Sequence, residues 1–120
     1  MKMGETRVTA RIHGPKGHED VEMVADTGAT LTMIPESVAD SVGIARRGSV
    51  MVRLADGSTK AVPIGNAEVE IGDDRAPIRV LIGSEDVALL GLTALETLGL
   101  KVNPVERRLE PSVFSQYALA

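Results

Sequence analysis

Apolar and polar residues alternate in short runs along most of the chain, which is the pattern of β-strands that bury one face. The clearest run is the first, in which Val8, Ala10 and Ile12 alternate with polar neighbours. Further runs rich in strand-forming residues occupy residues 21–26, 50–54, 58–64 and 67–71. The pattern therefore predicts a mainly β domain.

Turn-forming residues separate these runs. Residues 13–20 are rich in glycine and proline and are predicted to form a hairpin loop between the first two strands. The Asp-Gly pair within Ala55-Asp56-Gly57 predicts a second hairpin, because this pair favours tight turns between antiparallel strands. Near the end of the chain, residues 100–103 and 107–110 are predicted to pair with each other.

Two segments carry the pattern of short helices. Pro35 is at a position typical of a first helical residue and Gly43 follows the end, so residues 35–42 are predicted to be helical. Residues 92–98 place three leucines on one helix face. Gly99 follows them and is suited to the left-handed conformation that ends a helix.

The composition fits a single globular domain over residues 1–120. Apolar residues make up 43% of the chain and charged residues 25%, and 120 residues allow one modest core. The tail from about residue 111 is expected either to be flexible or to lie at a subunit interface.

Charge, cysteine content and hydropathy exclude several functional classes. The net charge of -4 leaves no basic stripe for nucleic acid as the main partner. Without cysteine there is neither a disulfide framework nor a thiolate nucleophile. No apolar leader or membrane-length apolar run is present, so we expect no membrane partner and a cytoplasmic location.

One triplet, Asp26-Thr27-Gly28, interrupts two apolar runs. Aspartate and glycine are both poor strand residues, so placing them there indicates either a turn or a functional site, and we favour the site. A second apolar motif, Leu89-Leu90-Gly91, precedes the helical segment that begins at residue 92.

Together the two motifs resemble those of the retropepsin-like aspartic proteases, the family of retroviral proteases and their relatives. The resemblance extends over about residues 8–104, and residues 67–71 and 78–83 are similar to the paired strands that precede the second motif in retroviral enzymes. It implies a closed β domain with the acid-protease fold, comprising a single lobe with one or two short helices.

The resemblance also implies a chemistry, an aspartic endopeptidase that acts on peptide or protein substrates without metal or cofactor. Hydrolysis by carboxylates needs two of them close together, and the chain has one triplet. Asp26 is therefore expected to pair with Asp26 of a second copy across a two-fold axis. In the family, Thr27 bonds to the partner loop, Gly28 leaves room for substrate, and Ala29 lines the pocket floor.

The same resemblance implies that the Asp-Gly hairpin is a flap. Ala55, Asp56, Gly57 and Ser58 would form the tip of a flap that folds over bound peptide, the alternative being a plain surface hairpin. Two positions depart from the retroviral pattern. Thr30 and Leu92 stand where many retroviral enzymes have an aspartate and an arginine, so the ion pair that helps to lock those dimers cannot form.

Other interpretations remain open. The domain could bind extended peptides or dimerise without cleaving, or be a structural β domain with a fortuitous triplet. His13, His18, Glu19 and Asp20 suggest a metal cluster only weakly, and we expect a solvated loop there. The tail carries Phe114 and Tyr117, which are expected to dock it onto the body or a partner, or else to be disordered.

Overall fold

Short β-strands dominate residues 5–84 and 86–112, which are the residues that the computed structural model describes. In chain order the elements are β1 (Thr6–Gly14), β2 (Gly17–Asp26), β3 (Thr32–Pro35), α1 (Glu36–Val42), β4 (Ser49–Arg53), β5 (Thr59–Ile71), β6 (Asp74–Gly83), β7 (Leu89–Gly91), α2 (Leu92–Leu98), β8 (Leu100–Asn103) and β9 (Arg108–Pro111). Phe114 and Tyr117 lie outside the described residues.

Six of the strands form a closed barrel. They are hydrogen-bonded in the order β1-β2-β7-β3-β6-β5, and β5 pairs with β1 to complete the circuit. The closing contact is short, with Arg11 opposite Glu70, Ile12 opposite Val69 and His13 opposite Glu68. β4 pairs with the first half of β5 and extends from the barrel as a hairpin. The prediction of a closed, mainly β domain with two short helices is confirmed.

The core follows the alternation in the sequence. Ala10 and Ile12 are fully buried, whereas their neighbour Arg11 is exposed. The largest fully buried apolar side chains come from the barrel strands and from both helices: Ile12, Met23, Ile34, Val42, Val69, Val80, Ile82, Leu90 and Leu95. Burying one such side chain stabilises the fold by about 1.5–3 kcal/mol.

Both helices end where glycine predicts. Gly43 and Gly99 adopt the left-handed conformation, with φ of 78° and 71°, and their backbone N–H groups donate to carbonyls of the preceding turn. α1 begins at Glu36, with Pro35 as the residue before it, one position later than predicted. Neither helix in the described ranges has the length and apolar character that crossing a membrane requires.

The prediction that residues 13–20 form a loop is wrong. β1 continues to Gly14 and β2 starts at Gly17, so only two residues connect them, and Lys16 donates its backbone N–H to Val42 O at 2.9 Å. The polar residues of this segment pair across the strands instead, as in the ion pair between Arg11 and Asp20 at 2.8 Å. Such cross-strand pairs stabilise the extended conformation that the glycine and proline content argued against.

Two predicted strands, residues 58–64 and 67–71, form the single strand β5. Glycine at position 65 lets the continuous strand pass close to the backbone of residue 45, because a Cβ at this position would lie 2.7 Å from Ala45 O. The predicted pairing of β8 with β9 is confirmed. β9 starts at Arg108 rather than at Arg107, which ends the turn with a positive φ of 55°.

Candidate active site

Asp26 is the last residue of β2 and is half-buried. Its Oδ1 accepts a hydrogen bond from the Gly28 backbone N–H at 2.9 Å, and its carbonyl accepts one from the Ala29 N–H at 3.1 Å. These two bonds close a tight turn over Asp26-Thr27-Gly28. The carboxylate orientation is therefore fixed by the backbone of its own triplet, which leaves its other oxygen for a second group.

The second motif lies directly beside this turn. β7 runs parallel to β2, so that Leu90 is opposite Ala25 and Gly91 is opposite Asp26. A Cβ on Gly91 would lie 2.6 Å from the Leu31 carbonyl atoms, so only glycine fits without moving the backbone. The two predicted motifs thus form one unit in which β7 supports the loop that carries Asp26.

Backbone hydrogen bonds also join the segment after the triplet to the start of α2. Leu92 N–H donates to Ala29 O at 2.8 Å, and Thr93 N–H donates to Thr30 O at 3.1 Å. The first N–H groups of a helix have no partner within the helix, and here the loop carbonyls accept them. This places residues 29 and 30 at fixed distances from the helix.

Thr32 is a residue that sequence analysis missed. It is 1% exposed, and its Oγ1 accepts the Gly91 backbone N–H at 3.0 Å. The hydroxyl thereby joins the start of β3 to the position beside Asp26. The sequence did contain a signal for this role. Thr32 is a polar residue in an apolar run and lies two positions before Ile34, so the strand pattern would place both side chains on the buried face.

The other two triplet residues lie at the surface of the single chain, and the alanine that follows them is partly covered. Thr27 and Gly28 are exposed and Ala29 is half-buried. Their assigned roles, a bond to the partner loop, room for substrate and the pocket floor, stay predictions.

The predicted flap is present as a hairpin. Leu54 N–H donates to Ser58 O at 2.8 Å, Gly57 N–H donates to Leu54 O at 3.0 Å, and Gly57 has φ of 88°. This is a three-residue connection with glycine at the left-handed position. The Ser58 hydroxyl and N–H both donate to the Asp56 carboxylate and hold the pKa of that carboxyl below its ordinary value. Ala55 and the other tip residues are exposed, and their role as a flap stays a prediction.

A groove lies between this hairpin and the ends of β3 and β6. Its cavity volume is about 510 Å³. The side chains that give it its apolar character are Met33, Val52, Leu54, Val62, Ile82 and Val87. Met33 pairs with Leu89 of the second motif, so the groove adjoins the strand that supports Asp26.

The histidine pair lies elsewhere, on the β1–β2 hairpin. His13 Nε2 lies 2.7 Å from Glu70 Oε1, and this hydrogen bond lowers the pKa of the Glu70 carboxyl. The His13 and His18 rings are 5.5 Å apart. Within residues 5–84 and 86–112, no group of three or more potential ligands is arranged to hold a metal ion.

Comparison with known families identifies the chain. A family model described as "gag-polyprotein putative aspartyl protease" matches residues 8–97, which include both motifs and the hairpin. The chain belongs to this family. It is a retropepsin-like aspartic protease in family and in fold.

The fold comparison agrees. The structure of the EIAV protease complexed with the inhibitor HBY-793 superposes with a TM-score of 0.69 at 15% sequence identity. The match covers 82% of this chain and 92% of the viral protease. At this identity the likeness establishes the fold alone. No curated protein sequence matches the chain.

Proposed function

We propose that the protein is a homodimeric aspartic endopeptidase that hydrolyses peptide bonds in extended substrates. The observation that carries the proposal is the setting of Asp26. Its carboxylate is held by the Gly28 N–H at 2.9 Å and the residue lies opposite Gly91 at the end of a parallel strand pair. An oriented, half-buried carboxylate in a turn that solvent can reach is the group that general acid–base hydrolysis requires.

The dimer follows from the number of such groups. Asp26-Thr27-Gly28 is the only Asp-Thr-Gly triplet in the chain, and the reaction needs two carboxylates in different protonation states. A second copy related by a two-fold axis would bring its own Asp26 to the same place. The site is complete only when both copies are present.

The surface around the triplet supports this arrangement. Thr27 and Gly28 are exposed, and Leu92, whose N–H is bonded to Ala29 O, is 40% exposed. A partner that covers this loop would remove the apolar surface of Leu92 from water at about 25 cal/mol per Å². Apolar contact through Leu92 would thus take the place of the ion pair that helps to lock many retroviral dimers and that this chain lacks.

In the proposed reaction the two Asp26 carboxylates share one proton. The ionised carboxylate takes a proton from water as the water oxygen attacks the peptide carbonyl carbon, and the protonated carboxyl gives its proton to the carbonyl oxygen. The tetrahedral intermediate then gives one of its hydroxyl protons to the carboxylate that is now ionised and reforms the carbonyl while the C–N bond breaks. The departing nitrogen receives a proton from the carboxyl pair, which returns to its starting state.

The hairpin and groove provide a place for the substrate. The β4–β5 hairpin would close over an extended peptide and exclude water, as mobile lids do. The groove of about 510 Å³ beneath it is mostly apolar, which fits apolar substrate side chains near the bond that is cut. The proposed substrate class is therefore an extended peptide with apolar residues at the cleavage site.

A peptide-library digest tests the proposal. The wild-type protein and the Asp26→Asn variant are incubated with the library at several pH values, and products are identified by mass spectrometry. We expect cleavage by the wild type, with greatest turnover at acidic pH where the shared proton is retained, and none by the variant. Equal cleavage by both would remove Asp26 from the mechanism. Peptide binding without cleavage would identify a non-catalytic binding module.

A further inference from the structure

One face of the flap hairpin supplies most of the hairpin residues that line the groove, and Ala61 and Pro63 also line it. Residues directly opposite each other in an antiparallel pair have their side chains on the same face of the sheet. Val52 is opposite Lys60 and Val50 is opposite Val62, and Val52, Lys60 and Val62 all line the groove. We call Val50, Val52, Lys60 and Val62, together with the groove-lining Leu54, the inner face of the hairpin.

Lys60 is the only charged residue of this inner face. Its ammonium group has no carboxylate within 4.0 Å among the described residues, because every ion pair found there involves other side chains. The acid at the hairpin tip, Asp56, is bonded to Ser58 instead. The inner face thus presents a cation without a counter-ion beside apolar side chains.

The other charges of the groove do not neutralise it. Glu36 and Arg46 also line the groove, and the Arg46 guanidinium lies 3.1 Å from Asp40 and 4.0 Å from Glu36. Among the lining residues that the structure describes, one negative and two positive groups give a net charge of +1. That surplus positive charge is on the hairpin.

We propose that Lys60 makes this site selective for peptide segments that carry an aspartate or glutamate within about two residues of the apolar side chain held in the groove. The inference rests on the proposed function and names the substrate class that the flap accepts. When an extended peptide covers the groove, water is displaced and the attraction between Lys60 and a carboxylate strengthens. A basic peptide at the same place suffers repulsion, which adds to the discrimination.

The hairpin supplies a matched control. Arg53 follows Val52 directly and pairs with Thr59, so its side chain lies on the opposite face, and it does not line the groove. Lys60→Gln and Arg53→Gln each remove one positive charge from the same exposed hairpin. Only the first removes it from the inner face. A general effect of net charge would change both variants equally, whereas direct recognition would change only one.

The test compares peptides that share one apolar core and differ in having glutamate, glutamine or lysine at each flanking position. The ratio of kcat/KM for the glutamate and glutamine peptides is measured for the wild type, Lys60→Gln and Arg53→Gln. Binding to the Asp26→Asn variant, and to that variant carrying each charge substitution, is measured by fluorescence anisotropy. The binding arm needs no catalysis.

We expect the wild type to prefer glutamate about fivefold at its best position, equivalent to about 1 kcal/mol, with the preference weakening at high salt. Lys60→Gln should lose the preference, Lys60→Glu should favour lysine, and Arg53→Gln should behave as the wild type. A preference that survives Lys60→Gln, or that falls equally in Arg53→Gln, overturns the inference.

The two proposals fail in different ways. Hydrolysis without charge preference leaves the endopeptidase proposal intact and overturns the inference about Lys60. Charge-selective binding without hydrolysis supports the inference and overturns the endopeptidase proposal. If no peptide in the set is bound or hydrolysed, both proposals are overturned.

Discussion

Replacing Thr32 with valine tests whether its hydrogen bond to Gly91 stabilises the loop that carries Asp26. The substitution keeps the shape and the β-branch but removes the oxygen that accepts the Gly91 N–H at 3.0 Å. Thr32 is 1% exposed, so water cannot substitute without opening the structure. A buried N–H left without a partner costs about 1–3 kcal/mol, which is the expected loss in unfolding free energy.

Two further variants make this measurement specific. Thr9→Val carries the same chemical change on an exposed position of β1 and should alter unfolding free energy by less than about 0.5 kcal/mol. Thr32→Ser keeps the oxygen and loses one methyl group, so it should retain the hydrogen bond to Gly91. All variants are compared at one protein concentration, because dimerisation would add a concentration-dependent term to the stability.

The assay combines denaturant unfolding with amide hydrogen exchange at Gly91. We expect Thr32→Val to lower both the stability and the protection of the Gly91 amide, and Thr32→Ser to preserve that protection. Since Gly91 is opposite Asp26, peptide hydrolysis should also fall in the valine variant. A valine variant as stable as Thr9→Val, with the Gly91 amide still protected, would refute this account of the loop.

Three further predictions concern packing, assembly and pH. Gly91→Ala should destabilise the fold by about 1–3 kcal/mol in denaturant unfolding, because its Cβ would lie 2.6 Å from Leu31 backbone atoms; wild-type stability would contradict the close approach. Leu92→Ser should make sedimentation and specific activity more sensitive to dilution, and unchanged dimer affinity would exclude Leu92 from the interface. The hydrogen bond from His13 lowers the pKa of Glu70 in the folded state, so its stabilising contribution is present above the ordinary glutamate value of 4.5 and is lost as pH falls through the lowered value. Glu70→Gln should therefore reduce the loss of stability in acid, measured by thermal unfolding at several pH values; an unchanged acid dependence would refute this.

The elements that sequence predicted correctly are those specified by local backbone preferences. Gly43 and Gly99 end their helices because glycine tolerates the left-handed conformation, and the Asp-Gly pair forms its hairpin for the same reason. Alternation was enough to identify the buried face of β1. Both kinds of signal act over a few residues and need no knowledge of the fold.

The missed features depend on residues far apart in the chain. A closed barrel was expected from the family resemblance alone, and the pairing of residues 11–13 with residues 68–70 that closes it is specified by no local pattern. Thr32 gained its role because Gly91, 59 positions away in the chain, approaches it from β7. The motif around Asp26 was recognisable in the sequence, whereas the hydrogen bonds that hold it required the structure.

The central claim, that two copies of the chain share one site, is tested most directly by mixing wild type with Asp26→Asn. The proteins are combined in equal amounts at constant total concentration, allowed to exchange subunits, and assayed for peptide hydrolysis. If each active site needs Asp26 from both chains and the two proteins associate equally well, only wild-type pairs are active, and the mixture should retain about one quarter of the wild-type activity. Retention of about one half, as independent active sites would give, would contradict the shared site.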